Sequence, residues 1–172
     1  IRAGFIVQAM SHPLIGMNLK VDGREVYRLA AGADVENRLR DLFGSDFRKN
    51  LRKVEYRSAE TIVKGFITMP AASRADRNEQ YFFVNGRATG APLFSYALRE
   101  GYRTLLPADR HPSVFLFIEM DPGLVDVNVH PTNAEVKFRD SHAVFSLVQR
   151  EARRALMEHA PIPAIAPSSS EE

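Results

Sequence analysis

The chain opens on an apolar, helix-like stretch from Ile1 to Met10, which His12-Pro13 brings to a stop. Met17, Leu19 and Val21 then alternate with Asn18 and Lys20, the period of a half-buried strand. Asp22-Gly23 follows, and both positions tolerate a positive φ, so a two-residue hairpin is expected. The return strand would set Val26 opposite Leu19 and Glu25 opposite Lys20. Asp34 reads as an N-cap for a helix whose inner face carries Val35, Leu39, Leu42 and Phe43, and Gly44 ends it. Arg38 and Arg40 fall off that face, and a basic stretch through Arg48, Lys49, Arg52, Lys53 and Arg57 follows.

Two strands are predicted over Lys53–Arg57 and Thr61–Met69, then an exposed loop from Pro70 to Glu79 carrying Arg74 and Arg77. Gln80 to Val84 is the most strand-like segment. Asn85-Gly86 suggests a hairpin, but helical spacing from Pro92 onward favours strand, turn and helix. In that helix Ser95, Arg99 and Arg103 form a polar stripe opposite Leu93, Tyr96, Ala97 and Leu105. Ser113–Met120 reads as a buried central strand, Val125–Val129 and Glu135–Phe138 as further strands. A closing helix over Ser141–Glu158 would bury Val144, Val148, Ala152 and Ala155 and expose Arg150, Arg153 and Arg154. The order gives an α+β domain, one mixed sheet with helices packed mainly on one face, over residues 1–159. Residues 160–172, rich in Pro, Ser and Glu, read as the start of a flexible linker.

A length of 172 residues suits one such domain with its tail. No cysteine is present, which removes disulfides and thiolate chemistry and fits a reducing cytoplasm, the expected location. No apolar run reaches the roughly 20 residues of a membrane span, and no membrane association is expected. The net charge is only +2, but the last twelve residues hold two glutamates and no basic group. Arginine outnumbers lysine, which suits planar contacts to phosphate and equally suits surface ion pairs. The missing initiator methionine reads as the start of a piece of a longer chain.

Active-site chemistry is sparse. The five histidines are scattered without a ligand pair, and there is no GxxxxGK loop or GxSxG elbow. Asp126 and Glu135 could be drawn as an acid–base pair, but their spacing does not require it. The residues point to a binding or coupling module with no metal site and no catalytic residue of its own.

Two segments are more particular: Gln80–Arg87 (QYFFVNGR) and Val125–Asp140 (VDVNVHPTNAEVKFRD). Together with REGY at Arg99–Tyr102 and LLP at Leu105–Pro107, in that order, they resemble the MutL family of mismatch-repair proteins. The motif residues are Asn85, Gly86, Arg87, Asp126, Asn128, His130 and Pro131, and the resemblance covers roughly residues 1 to 158.

The resemblance implies a ribosomal-protein-S5-like second domain, one that serves a GHKL-type ATPase domain preceding it. ATP and Mg²⁺ would bind in that other domain, and this chain would carry no independent catalysis. Implied partners are DNA, the protein's own ATPase domain and a MutS-type mismatch-recognition protein; the fragment would be a monomer and the parent a homodimer. The family's HPxK lysine aims at the γ-phosphate, and here Asn133 stands in its place, which predicts weak or altered ATP turnover. Basic residues common after VNGR are also missing, since Ala88–Pro92 is uncharged. The remaining DNA-contact candidates are Arg74, Arg77, Arg87, Arg99 and Arg103, with Arg150, Arg153 and Arg154, and weak, sequence-independent, salt-sensitive binding is expected. Tyr81–Phe83 are expected in the core, so no aromatic row for stacking is foreseen. An RNA-binding protein of S5-like fold and a small-molecule kinase of the related GHMP group are alternatives. The motif pair disfavours the first, and the lack of a phosphate loop disfavours the second.

Overall fold

The computed structural model describes residues 1–90, 92–129 and 134–158. The expected linker 160–172, like His130, Pro131 and Asn133, lies outside the described residues.

The centre is a five-stranded mixed sheet in the order β3-β4-β7-β5-β6. Its strands are β3 (Leu51–Arg57), β4 (Thr61–Thr68), β5 (Gln80–Val84), β6 (Arg87–Ala88) and β7 (Val114–Met120). β7 pairs antiparallel with β4 and parallel with β5, which makes it the buried middle strand expected of its apolar run. Alternate residues of β7 feed two cores. Val114, Leu116 and Ile118 pack with Val63, Phe82 and Val84 against α4 (Pro92–Gly101) and α5 (Ser141–Met157). Phe115 and Phe117 face the other way. There Phe117 stacks on Phe83 at 4.8 Å and Phe115 on Tyr81 at 5.5 Å, so these aromatics are core, as their strand period predicts.

The α+β class and the mixed sheet are as expected, and α4 and α5 pack together on one face. The second face is covered as well. α1 (Arg2–Ser11) and α2 (Val35–Phe43) bring Ile6, Met10, Leu39 and Leu42 onto it, with the short helix α3 (Ser45–Lys49) beside them. Arg2 anchors this layer. It donates to Glu79 at 2.9 Å and to the Tyr27 hydroxyl at 3.0 Å, and the Tyr27 bond is the largest cause of its raised pKa.

Three local readings are corrected. β1 (Met17–Val21) and β2 (Arg24–Leu29) form the hairpin, and Lys20 does face Glu25, but Leu19 faces Tyr27. A bulge at Leu19/Lys20 leaves Val26 as the extra residue, 49% exposed. Asn85-Gly86 closes a true hairpin onto β6, with φ of 49° and 81° at the two turn residues, and the helix starts only afterwards. Arg38 is fully buried. It donates to the carbonyls of Pro13 at 2.7 Å and of Ile15 and Ala30 at 2.8 Å, with a longer bond to Ala9. Burial lowers its pKa, with Asp41 opposing, yet a guanidinium stays charged; its two terminal nitrogens are matched to carbonyls, while its buried Nε has no partner among the described residues.

A candidate nucleic-acid interface

The polar stripe predicted on α4 emerges from the packing of α4 on α5. Phe94, Ala97, Leu98 and Gly101 are buried, which turns Ser95 and Arg99 to the outside. Gly101 lets the helices approach closely: a Cβ there would lie 3.0 Å from the Gln149 carbonyl and 3.1 Å from the Ala152 side chain. After Gly101 the chain turns sharply, and Thr104 adopts a φ of 72°, strained for a β-branched residue.

This turn separates two grooves. The first, about 670 Å³, is lined by Arg77, Ser95, Tyr96, Arg99, Arg103 and Arg110, with a floor that includes Gln80. The second, about 750 Å³, is lined by Arg103, Ser146, Gln149, Arg150, Arg153 and Arg154. Both are lined by Glu100, Arg103 and Thr104, so six of the eight predicted DNA-contact arginines border two adjacent grooves.

Partnering differs along it. Arg77 and Arg99 have no ion-pair or hydrogen-bond partner among the described residues. Arg103 reaches Glu100 only at 3.7 Å. Arg153 donates to the carbonyls of Arg103 and Gly101, which ties the second groove's wall to the α4 end. Arg150 and Arg154 share the buried Glu151 at 3.5 and 3.6 Å, and the Arg150 guanidinium also lies over the Tyr56 ring. The floor of the first groove is polar and uncharged: the Ser95 hydroxyl donates to Gln80 at 3.1 Å, and the Gln80 amide donates to the Pro112 carbonyl.

Two predicted contacts fall elsewhere. Arg74 flanks the first groove without lining it; its side chain is held by Asp76, whose pKa the Arg74 bond depresses. Paired backbone bonds of 2.7 Å fasten Arg74 to His111 and so hold the 70–79 loop against the groove's lip. Arg87 lies at the opposite end of β5 from Gln80, roughly 13 Å along the strand. In VNGR, Asn85 does structural work: its side-chain oxygen accepts from the Met120 N–H at 2.9 Å. Gly86 supplies the second positive φ of the turn. Arg110 and His111 also line the first groove, and sequence reading missed both, because they belong to an irregular loop with no periodicity to place them.

The VDVNVHP segment forms β8 (Val125–Val129), paired with β9 (Ala134–Phe138) as a separate two-stranded ribbon. Phe138 roots the ribbon in the main core against Phe94. Asp126 is exposed and faces Lys137 across the ribbon, while Asn128 is opposite Glu135, so Asp126 and Glu135 are not directly paired. Among the described residues no group of acidic or histidine side chains could hold a metal ion. Nor is any described helix long and apolar enough to cross a membrane.

Comparison with known proteins supplies the context. A family model described as "DNA mismatch repair protein, C-terminal domain" matches residues 39–157. The DNA mismatch repair protein MutL of Phenylobacterium zucineum is 41% identical over 153 residues, covering 87% of this chain and 25% of that protein. That of Herminiimonas arsenicoxydans is 37% identical over 169 residues, covering 94% of this chain and 28% of that one. This chain therefore spans about a quarter of the length of the curated relatives it matches. A crystal structure of the N-terminal domain of a DNA repair protein superposes with a TM-score of 0.74 at 19% identity. The match covers 91% of this chain and 52% of that one, and it shows the fold alone.

Proposed function

The chain belongs to the MutL family of DNA mismatch repair proteins as its S5-like transducer domain, and we propose that it holds DNA along the two joined arginine grooves. The single observation behind this reading is the convergence of Arg77, Arg99, Arg103, Arg150, Arg153 and Arg154 on two adjacent grooves that share Arg103. Such a lining neutralises phosphates, which carry no sequence information, so binding is sequence-independent. Arg87, at the far end of β5, stands apart from this surface and serves a different neighbour.

In the longer protein the domain couples ATP and Mg²⁺ binding in a separate ATPase domain to DNA and to a MutS-type partner. Residues 1–159 act as the coupling unit and 160–172 as the start of a linker. Chemistry at the nucleotide belongs to that other domain, and this one contributes the segment around His130, Pro131 and Asn133. On this reading the isolated domain is a monomer, and the parent is a cytoplasmic homodimer.

The test is anisotropy of labelled duplex DNA titrated with the 172-residue chain at several salt concentrations. Micromolar or weaker binding that fades steeply with salt, and weakens when Arg99 and Arg103 become glutamate, is expected. No binding even at low salt would remove DNA from the role of this domain and leave coupling alone.

A further inference from the structure

Tyr96 does not behave as its place in the sequence predicts. Helical spacing puts it on the face with Leu93 and Ala97, yet it is 59% exposed while Ala97 is fully buried. Tyr96 lines the first groove together with Arg77 and Arg99, which have no partner among the described residues. A single exposed aromatic is ordinary on a surface; what sets this one apart is its place on the wall of a cationic groove. Below it lies the uncharged network of Ser95, Gln80 and the Pro112 carbonyl.

We propose that Tyr96 is a stacking platform for an unpaired nucleotide, making the first groove selective for single-stranded over duplex DNA. This rests on the reading of the grooves as a DNA surface and adds a specificity residue to it. In a duplex the base faces are hidden in the stack, so a ring on the groove wall gains nothing beyond phosphate contacts. An unpaired base offers a free π-face, and stacking on an aromatic is tolerant of base identity. The free arginines on the same wall hold the flanking phosphates, and the Gln80 amide retains a second N–H for a base edge. Six of the eight cations give affinity for either form of DNA, whereas Tyr96 acts on one form only.

The experiment is anisotropy of a labelled single-stranded oligonucleotide and a blunt duplex of equal length, each titrated with wild type, Tyr96→Ala, Tyr96→Phe and Arg99→Ala. Tyr96→Ala should weaken single-strand binding roughly 5- to 100-fold, with duplex affinity unchanged and the salt slope unaltered. Tyr96→Phe should bind like wild type, because stacking needs the ring and not the hydroxyl. Arg99→Ala should instead flatten the single-strand salt slope by about 0.7. If Tyr96→Ala leaves single-strand binding intact, or weakens both forms equally, the stacking role is overturned while the groove reading survives. If Arg99→Ala alters neither form, the groove reading itself fails. Displacement of the oligonucleotide by micromolar thymidine monophosphate would also overturn the proposal, since the site would then be one for a free nucleotide.

Discussion

Arg153 on α5 donates from its guanidinium to the backbone carbonyl of Arg103 at 2.7 Å, and so one arginine of the second groove fixes the position of another that belongs to both. A second bond, 3.4 Å to the Gly101 carbonyl, completes the clasp. The Gly101 carbonyl belongs to the last turn of α4, where helix carbonyls have no partner of their own, and that of Arg103 lies just beyond it. Arg153 therefore caps α4 from outside and holds the strained Thr104 between the grooves. Arg153→Met should lose about 1 kcal/mol of stability in urea denaturation and also weaken DNA binding. Arg99→Met, which breaks no bond, should leave stability within about 0.5 kcal/mol and flatten the duplex salt slope by about 0.9. Equal stability losses in the two variants would mean that the clasp contributes nothing.

Gly65 on β4 passes Phe115 of the central strand so closely that a Cβ would lie 1.9 Å from the Phe115 carbonyl oxygen, and its φ is 145°. Both obstacles are backbone, so neither can be relieved by a rotamer change. Gly65→Ala should cost about 4 kcal/mol or more, seen as a large fall in the urea midpoint or loss of soluble protein. Gly4→Ala, where nothing lies within 4 Å, is the control and should be neutral or slightly stabilising.

Arg38 joins the end of α1, the loop after it and the end of β2 through carbonyls, and among the described residues no carboxylate is bonded to it. Arg38→Met would fill similar volume but leave several buried carbonyls unpaired, a loss of about 3 kcal/mol. Hydrogen exchange should show the damage first in residues 1–33, with the five-stranded sheet protected. Uniform loss of protection would contradict this local role.

What could be read beforehand divides along the same line. β7 and the inner face of α5 were legible because burial follows a fixed period there, and period is visible in one dimension. Arg38 was not, because its cradle is assembled from segments 8 to 29 residues away and a charged residue reads as surface by default. Tyr96 misled for the opposite reason: helical spacing assigns it a side, but the breadth of the buried face is decided by where α5 lies. The Val26 bulge is a one-residue register change that no alternation reveals. The arginines themselves were easy to nominate. That six of them converge depended on how α4 packs on α5, and that Arg110 joins them depended on a loop, whose path carries no periodic signal.

Tyr102 is buried, and its hydroxyl donates to the carbonyl of Thr68, linking the end of α4 to the end of β4. Burial raises its pKa far above the usual 10.0. A phenol raised in the folded state ionises first in the unfolded chain. Its contribution is thus complete below about pH 10 and is lost as the pH rises beyond that. Wild type should lose more stability between pH 8 and pH 11 than Tyr102→Phe, which in turn should be about 1 kcal/mol less stable at pH 8. Parallel alkaline losses in the two proteins would show that Tyr102 is not the group responsible.

Asn133 bears on the coupling proposed for the longer protein. The family resemblance implies a lysine at this position; an amide there can still donate a hydrogen bond to a phosphate oxygen but brings no charge. Charge-assisted bonds are worth about 1 to 1.5 kcal/mol more than neutral ones, close to a factor of ten in rate if the difference is realised in the transition state. Asn133→Lys in the longer protein should therefore raise ATP turnover roughly tenfold in a steady-state phosphate-release assay. Single-strand and duplex affinities of the isolated domain, measured alongside, should be unaffected. Unchanged turnover would mean that this loop does not reach the nucleotide, and coupling would then have to run through another part of the domain. A change in DNA affinity without a change in turnover would place position 133 beside the DNA instead.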